Sequence, residues 1–309
     1  MIRLSTTDPG GPSFAVEGLP EPVVSAWAAE RCLVRCEGIA PGADLVGRTG
    51  GEGAAFPATA PHRLRLEPRG PAEVFSVEPP REVDEGLLAG FDLALTRAFA
   101  RQGVLVLHGA GFVLDGRAVL ALGPSGAGKS STAAAALAAG GAVLSDDVVF
   151  LRPGEGGGVA WPGRRDLLLR SDGRLRAGER LSPSLRDTTR GDGPRKRLDR
   201  GERPDLFVDE LRPGELWTLR VDPSRARSLR EPLAAGPLVA EMIRSTSPLL
   251  LSEACRDDAE HLRPLLRAAS DLPSFRITLG ADLLSDPAGA IRSLLPQAGS
   301  SLDLPSRQE

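Results

Sequence analysis

The residues of this chain with the clearest capacity for chemistry lie in one glycine-rich segment, Gly123 to Ser130, with the sequence GPSGAGKS. Its spacing fits G-x-x-x-x-G-K-[ST], the phosphate-binding loop of nucleotide-binding proteins. Glycines there let backbone N–H groups turn toward phosphate oxygens, and a following helix points its positive end at them. We expect Lys129 to reach the β- and γ-phosphates and Ser130 to ligate Mg²⁺. The predicted phosphate-binding residues are Gly123, Pro124, Ser125, Gly126, Ala127, Gly128, Lys129, Ser130 and Ser131.

Two adjacent acids follow this segment at a spacing that brings them back to it. Asp146 comes 17 residues after Lys129, and Asp147 is next. Because one helix and one strand fit in that interval, both carboxylates are expected at a strand end beside the loop. One acid can hold Mg²⁺ there, and the other can accept a proton from an attacking hydroxyl. Two acids exceed what a simple triphosphatase needs, so the pair favours phosphoryl transfer.

One histidine and two basic groups are further candidates. His108 lies 15 residues before Gly123, and it is expected at the end of the strand that precedes the hairpin, next to the strand that enters the loop. Arg164-Arg165 and the basic run at 195–197 are expected on loops. A cationic loop can clamp phosphates or an acidic acceptor, and solvated surface charge is the alternative interpretation.

The elements that position these residues alternate in a way that predicts an α/β fold. Apolar runs flank Asp115-Gly116, a strong hairpin signal, and the second run leads into the glycine-rich segment. The alternation continues to residue 295, which favours an α/β core. We expect helices at 130–139, 237–244, 253–269 and 286–295, strands at 142–144, 148–151, 216–221 and 275–279, a strand or helix start at 166–170, and mostly loop at 171–204.

The chain divides into three parts by pattern. Residues 1–80 predict a small β-rich N-terminal domain, residues 81–295 a catalytic domain that opens with a helix at 82–101, and residues 296–309 a disordered tail. In the first part, strands are expected at 13–17, 32–37, 63–67 and 73–78, with a loop at 41–61.

Composition excludes several functional classes. With 41% hydrophobic and 26% charged residues, the 309-residue chain has the composition of a folded globular protein. A net charge of −3 argues against a nucleic-acid partner, and no apolar run approaches a membrane span, so no membrane partner is expected. The opening residues, MIRLSTTDPG, lack the apolar stretch of a secretory signal. The three cysteines are expected as reduced thiols in the cytoplasm.

The motifs together resemble the catalytic domain of the HPr kinase/phosphorylase family, whose fold is similar to the nucleotide core of phosphoenolpyruvate carboxykinase. The likeness covers residues 100–170 well and residues 171–295 loosely. It implies a P-loop catalytic core that uses ATP and Mg²⁺. It also implies that Asp146 takes the proton from an acceptor serine. Asp147 is then its metal-side partner, and His108 lies near the transferred phosphate.

Two departures from the family bear on the acceptor. Ser131 stands where HPr kinases carry Glu, and VAWPGRRDLLLR at residues 159–170 replaces the family's stretch tied to phosphorolysis. That segment resembles shorter HPr-kinase-like proteins of bacterial peptide-modification gene sets. The resemblance therefore implies a serine kinase for a peptide or protein acceptor, including lasso precursor peptides. Free serine is the alternative acceptor, and a non-kinase P-loop ATPase or switch is the other alternative. Relatives often form hexamers, so the resemblance is compatible with a homo-oligomer.

Overall fold

A computed structural model gives the fold. It describes Phe99 and residues 103–163, 166–170, 184–190, 193–246 and 271–295, together with the backbone of seven strands between residues 2 and 77. The predicted helices at 82–101 (apart from Phe99) and 253–269, the tail from residue 296 and the three cysteines lie outside the described residues. Among the residues described, no helix is long and apolar enough to cross a membrane.

The strands between residues 2 and 77 form one sheet in the order β3-β1-β2-β4-β7-β6-β5. The four predicted strands of this region are present. The loop expected at 41–61 was wrong in part, because β4 and β5 lie within it. β4 pairs with β2 and β7, and such distant pairing can form a strand that a Gly/Ala/Pro-rich composition does not signal. The seven strands are β1 (Ile2–Thr6), β2 (Ser13–Val16), β3 (Leu33–Arg35), β4 (Leu45–Thr49), β5 (Ala54–Ala55), β6 (Leu64–Arg69) and β7 (Ala72–Val77).

The second part of the chain is mixed α/β, as predicted. Its strands are β8 (Leu105–Leu114), β9 (Arg117–Leu122), β10 (Ala142–Ser145), β11 (Val148–Arg152), β12 (Val159–Pro162), β13 (Asp166–Arg170), β14 (Leu185–Arg190), β15 (Gly193–Asp199), β16 (Glu215–Val221), β17 (Leu229–Pro232) and β18 (Ser274–Leu279). Its described helices are α1 (Lys129–Ala138), α2 (Ala235–Ser245), α3 (Asp282–Ser285) and α4 (Pro287–Leu294).

A central eight-stranded sheet organises this part in the order β12-β11-β8-β9-β16-β18-β17, with β10 paired to β8. β9, β16 and β18 are parallel neighbours, and antiparallel pairs flank them. The hairpin between β8 and β9 turns at Asp115-Gly116 as predicted, with φ of 50° and 74° at the two residues. Since the carboxyl ends of parallel strands share one edge, the loop after β9 emerges at the edge where such sheets commonly bind ligands.

Helices cover both faces of the central sheet. On one face, α1 packs through its buried alanines against Phe112 and Trp217. On the other face, Leu238 and Met242 of α2 pack with Leu107. Successive side chains of a strand point to opposite faces of a sheet. The side chains of β8 and β9 therefore contribute to the apolar clusters on both faces.

The edge of β8 explains how the two acids reach the site. β10 pairs with β8 up to Gly111, and β11 pairs with it again from His108. The bend at Asp146-Asp147 interrupts this ladder, and the backbone N–H of Gly109 donates to the carbonyl of Asp147 at 3.0 Å. The bend is a local irregularity of the kind that redirects side chains at active sites.

The region 171–204, expected to be mostly loop, contains two strands. β14 and β15 form a three-stranded antiparallel sheet with β13, in the order β13-β15-β14. Leu167 and Leu198 are buried at opposing register positions, whereas Arg186 and Arg197 are exposed. Arg, Asp and Gly residues are typical of loops, and their abundance in this region hides the alternation of buried and exposed residues along the strands.

Glu215 anchors an ionic cluster at the amino end of β16, and its loss is expected to destabilise the fold. Its buried carboxylate accepts from the indole N–H of Trp217 at 2.8 Å and from Arg230 at 3.2 Å. Glu215→Ala removes the carboxylate partner of a buried indole N–H and of a mostly buried guanidinium, so we expect a loss of about 3–5 kcal/mol in the free energy of unfolding. Urea denaturation measures this.

The control for that measurement is Glu210→Ala. Glu210 is exposed, and its removal is expected to change the free energy of unfolding by less than about 0.5 kcal/mol. Equal effects of the two variants would contradict the structural role of Glu215.

Candidate active site

The glycine-rich loop joins β9 to the start of α1, as the sequence predicted. β9 ends at Leu122, and α1 begins at Lys129. Gly126 and Gly128 have φ of 83° and 97°, in the left-handed region that favours glycine. At Gly128 a Cβ would also stand 2.4 Å from Cδ1 of Leu279. The backbone conformation therefore favours glycine at this position, and a Cβ there would also force the Leu279 side chain to shift.

Lys129 is buried at the first turn of α1. Its Nζ donates to the carbonyl oxygens of Gly123 at 2.7 Å and Pro124 at 3.1 Å. Burial lowers the pKa of Lys129, and the carboxylates of Asp147, Glu241 and Asp146 act in the opposite direction. The ammonium thus lies inside its own loop, within the electrostatic reach of acids from two other elements.

Asp146 is the buried member of the acid pair. Its side chain accepts a hydrogen bond from the backbone N–H of Leu168 at 3.2 Å and another from Ser130. Burial, followed by the neighbouring charge of Asp147, raises the pKa of Asp146 to about 7. A carboxyl group that titrates near neutrality is suited to accept a proton from a hydroxyl and to release it later.

Asp147 is the more accessible acid, and it binds His108. The Nδ1 of His108 lies 2.9 Å from the carbonyl oxygen of Asp147 and 3.1 Å from its Oδ1. Both neighbours are acceptors, so we place the ring proton on Nδ1. The side chains of His108 and Asp147 are 46% and 22% exposed, which leaves both open to an incoming ligand.

The sequence predicted His108 at the end of a strand, and this prediction was wrong. β8 continues through His108 to Leu114. Gly109 and Gly111, which follow within the strand, allow close packing. A Cβ on Gly109 would stand 2.9 Å from Leu122, and one on Gly111 would stand 3.0 Å from Leu144.

The oxygen ligands expected for Mg²⁺ are compatible with that ion. Ser130 supplies a hydroxyl and Asp147 a carboxylate, both hard oxygen ligands. Mg²⁺ commonly keeps several waters and binds through one or two carboxylates plus substrate phosphates, so this small set suffices. Among the described residues no cluster of three or more His, Cys, Asp or Glu is arranged to hold a metal ion.

Two acids of the site were not predicted from the sequence. Asp166 of β13 adds to the raised pKa of Asp146, and Glu241 of α2 acts on Lys129. A signal for Glu241 does exist in the sequence, because it shares the apolar stripe of Leu238 and Met242. Asp166 had no comparable signal.

The basic run at 195–197 was wrongly expected on a loop. It lies on β15, where Lys196 pairs with Asp187 at 2.5 Å and Arg197 pairs with Asp166 at 3.0 Å and Asp199 at 2.8 Å. Arg197 therefore stands next to an acid that acts on Asp146. Arg164-Arg165 lies outside the described residues.

Comparison with known proteins leaves the family open. No protein-family model and no curated protein matches the chain. Among solved structures, the Hpr(Ser) kinase/phosphatase from Coxiella burnetii is similar at a TM-score of 0.31 and 13% sequence identity. The match covers 61% of this chain and 92% of that one. A likeness of this size assigns neither family nor activity.

Proposed function

We propose that this protein is an ATP- and Mg²⁺-dependent serine kinase that transfers the γ-phosphoryl group to a hydroxyl on a peptide or protein. The observation that carries the proposal is Asp146, which is buried, has a pKa of about 7, and receives a hydrogen bond from Ser130 of the phosphate loop. A proton acceptor attached to a phosphate-binding loop is the arrangement that phosphoryl transfer to a hydroxyl requires.

Each residue has one part in the proposed reaction. The loop N–H groups and Lys129 hold the β- and γ-phosphates, and Ser130 and Asp147 hold Mg²⁺, which supplies charge neutralisation of the phosphates. Asp146 accepts the proton of the acceptor hydroxyl as its oxygen forms a bond to the γ-phosphorus. The bond from that phosphorus to the bridging oxygen breaks, and ADP leaves. His108, fixed by Asp147, lines the acceptor side.

The acceptor class rests on the resemblance of residues 159–170 to peptide-modifying relatives. A cytoplasmic peptide or protein that carries an accessible serine is the proposed partner. Free serine is the competing acceptor.

Lys129→Ala is expected to weaken binding of the triphosphate itself. The substitution removes the only positive side chain inside the described loop, so we expect ATP affinity to fall by about tenfold or more. Isothermal titration calorimetry with ATP·Mg²⁺ measures this. Arg186→Ala removes one positive charge from β14, where the exposed Arg186 pairs with Glu202, and it serves as the control that keeps ATP affinity. Equal affinities in wild type and Lys129→Ala would contradict the assignment.

Label transfer from γ-labelled ATP tests the function. Purified protein and Mg²⁺ are incubated with a lysate depleted of small molecules, with Asp146→Asn as the control. A labelled band that is absent with the variant supports a peptide or protein kinase, and mass spectrometry then identifies the acceptor. Label that appears only in added serine or metabolites indicates a small-molecule kinase. Release of phosphate alone indicates an ATPase or switch.

A further inference from the structure

The carboxyl end of β16 carries an apolar side chain that the core does not cover. Among the described residues, the exposed large apolar side chains are Val221, at 50%, and Leu284, at 42%. Val221 is the last residue of β16, and Leu219, two residues earlier on the same face of the strand, is buried. A single exposed apolar residue is ordinary in a protein surface, so the surroundings of Val221 decide whether it has a function.

Val221 lies against the phosphate loop. A Cβ built on Gly128 would stand 3.5 Å from Cγ2 of Val221. Gly128 is the loop residue directly before Lys129, where α1 begins. Leu279, the register partner of Val221 in the parallel strand β18, approaches the same glycine. An exposed apolar surface therefore borders the phosphate loop at the start of α1.

The two loops at this edge, residues 221–228 after β16 and residues 279–282 after β18, form a surface that we call the ledge. The backbone N–H of Ala281 donates to the carbonyl of Arg225 at 2.8 Å. Further hydrogen bonds join the two loops between Asp222 and Leu279, Gly280 and Ser228, and Ser228 and Asp282. A surface held in this way loses little conformational freedom when a ligand binds to it.

The order of the strands determines on which side of the loop a nucleoside can lie. Asp146 and Asp147 follow β10, which pairs with β8 on one side of β9, whereas β16 and β18 lie on the other side. The proposed transfer places the γ-phosphate beside the two acids. Because the phosphates extend along the loop, the nucleoside leaves it on the opposite side, outside the carboxyl ends of β16 and β18. The ledge occupies that position.

We propose that the ledge holds the nucleoside of ATP and that Val221 is a specificity-determining residue, which packs against the base and sugar. The inference rests on the proposed function. Contact with Val221 removes apolar surface of both partners from water, which favours binding. The phosphates bind to the loop, so this contact strengthens the binding of a nucleotide and leaves the binding of a bare polyphosphate unchanged.

Calorimetric titration of ATP·Mg²⁺ and of inorganic tripolyphosphate with Mg²⁺ into wild type and Val221→Ser tests this. We expect Val221→Ser to bind ATP about three- to tenfold more weakly and tripolyphosphate as wild type does. The KM for ATP rises by the same factor and kcat is unchanged, because the lost contact is equal in the ground state and the transition state. Val221→Ile keeps the apolar surface and is expected to keep the affinity for ATP.

Val159→Ser is the matched control. It makes the same substitution on β12, at the far edge of the central sheet from β16 and β18, and it is expected to bind both ligands as wild type does. Unchanged ATP affinity in Val221→Ser overturns this inference alone. An equal loss for ATP and tripolyphosphate does the same, because it shows that Val221 supports the phosphate loop. Absence of binding of both ligands to wild type overturns the inference together with the proposed kinase.

Discussion

Replacement of Asp146 by Asn is expected to lower phosphoryl transfer by about a hundredfold or more, the usual scale for a lost general base, with nucleotide affinity nearly intact. The amide keeps the shape of the carboxyl group but cannot take the hydroxyl proton. Asp146 does not hold the phosphates in the proposed site, so ATP binding loses little. Initial rates of label transfer and calorimetric ATP affinity, measured on the same preparation, separate these two effects.

The matched control for transfer is Asp209→Asn. The side chain of Asp209 is 98% exposed and pairs with Arg200, so its substitution is expected to leave transfer unchanged. Full transfer activity in Asp146→Asn would contradict the assigned role. Loss of ATP binding together with transfer would show that Asp146 acts in binding instead.

The same substitution is expected to stabilise the fold at neutral and higher pH. The pKa of Asp146 is raised from 3.8 to about 7 by burial, so the folded state binds its proton more tightly than the unfolded state does. Wild type therefore loses stability as pH rises from about 4 to about 7, by at most about 4 kcal/mol. Asn does not ionise and escapes this loss. It gives up one hydrogen-bond acceptor, which costs about 1 kcal/mol at every pH.

Urea denaturation between pH 4.5 and pH 8, with chelator and without nucleotide, measures the difference in unfolding free energy. We expect Asp146→Asn to be the less stable protein at the acidic end and the more stable one above neutrality. Asp209→Asn shows no such trend. A difference that stays constant with pH would contradict the raised pKa of Asp146.

Activity and stability thus oppose each other at Asp146. Ionised near neutrality, the side chain can accept a proton, but the same negative charge lies in a buried site beside Asp147. Such a conflict is characteristic of residues selected for chemistry over stability.

The sequence determined the features that depend on local order. The glycine pattern, the lysine after it and the hairpin signal at Asp115-Gly116 describe contiguous backbone, and the structure has all three as expected. The spacing from Lys129 to Asp146 fits one helix and one strand, so the return of the acids to the loop was also predictable. Roles in catalysis for these residues stay predictions.

The misplaced elements share one property, which is that distant neighbours decide them. A strand end was predicted at His108, but β8 continues through it, and Gly109 and Gly111 admit Leu122 and Leu144 at close range. Arg and Asp at 184–199 suggested loop, but Leu198 is buried where β15 pairs with β13. Both cases depend on neighbours distant in the chain.

Only the tertiary structure decided which acid is buried and which charges surround it. Adjacent aspartates are equivalent by spacing, yet Leu168 of β13 and Ser130 of α1 contact Asp146, while His108 of β8 contacts Asp147. The charge state of a carboxyl group depends on desolvation and on nearby charges. Those neighbours come from separate elements, so a linear motif cannot specify them.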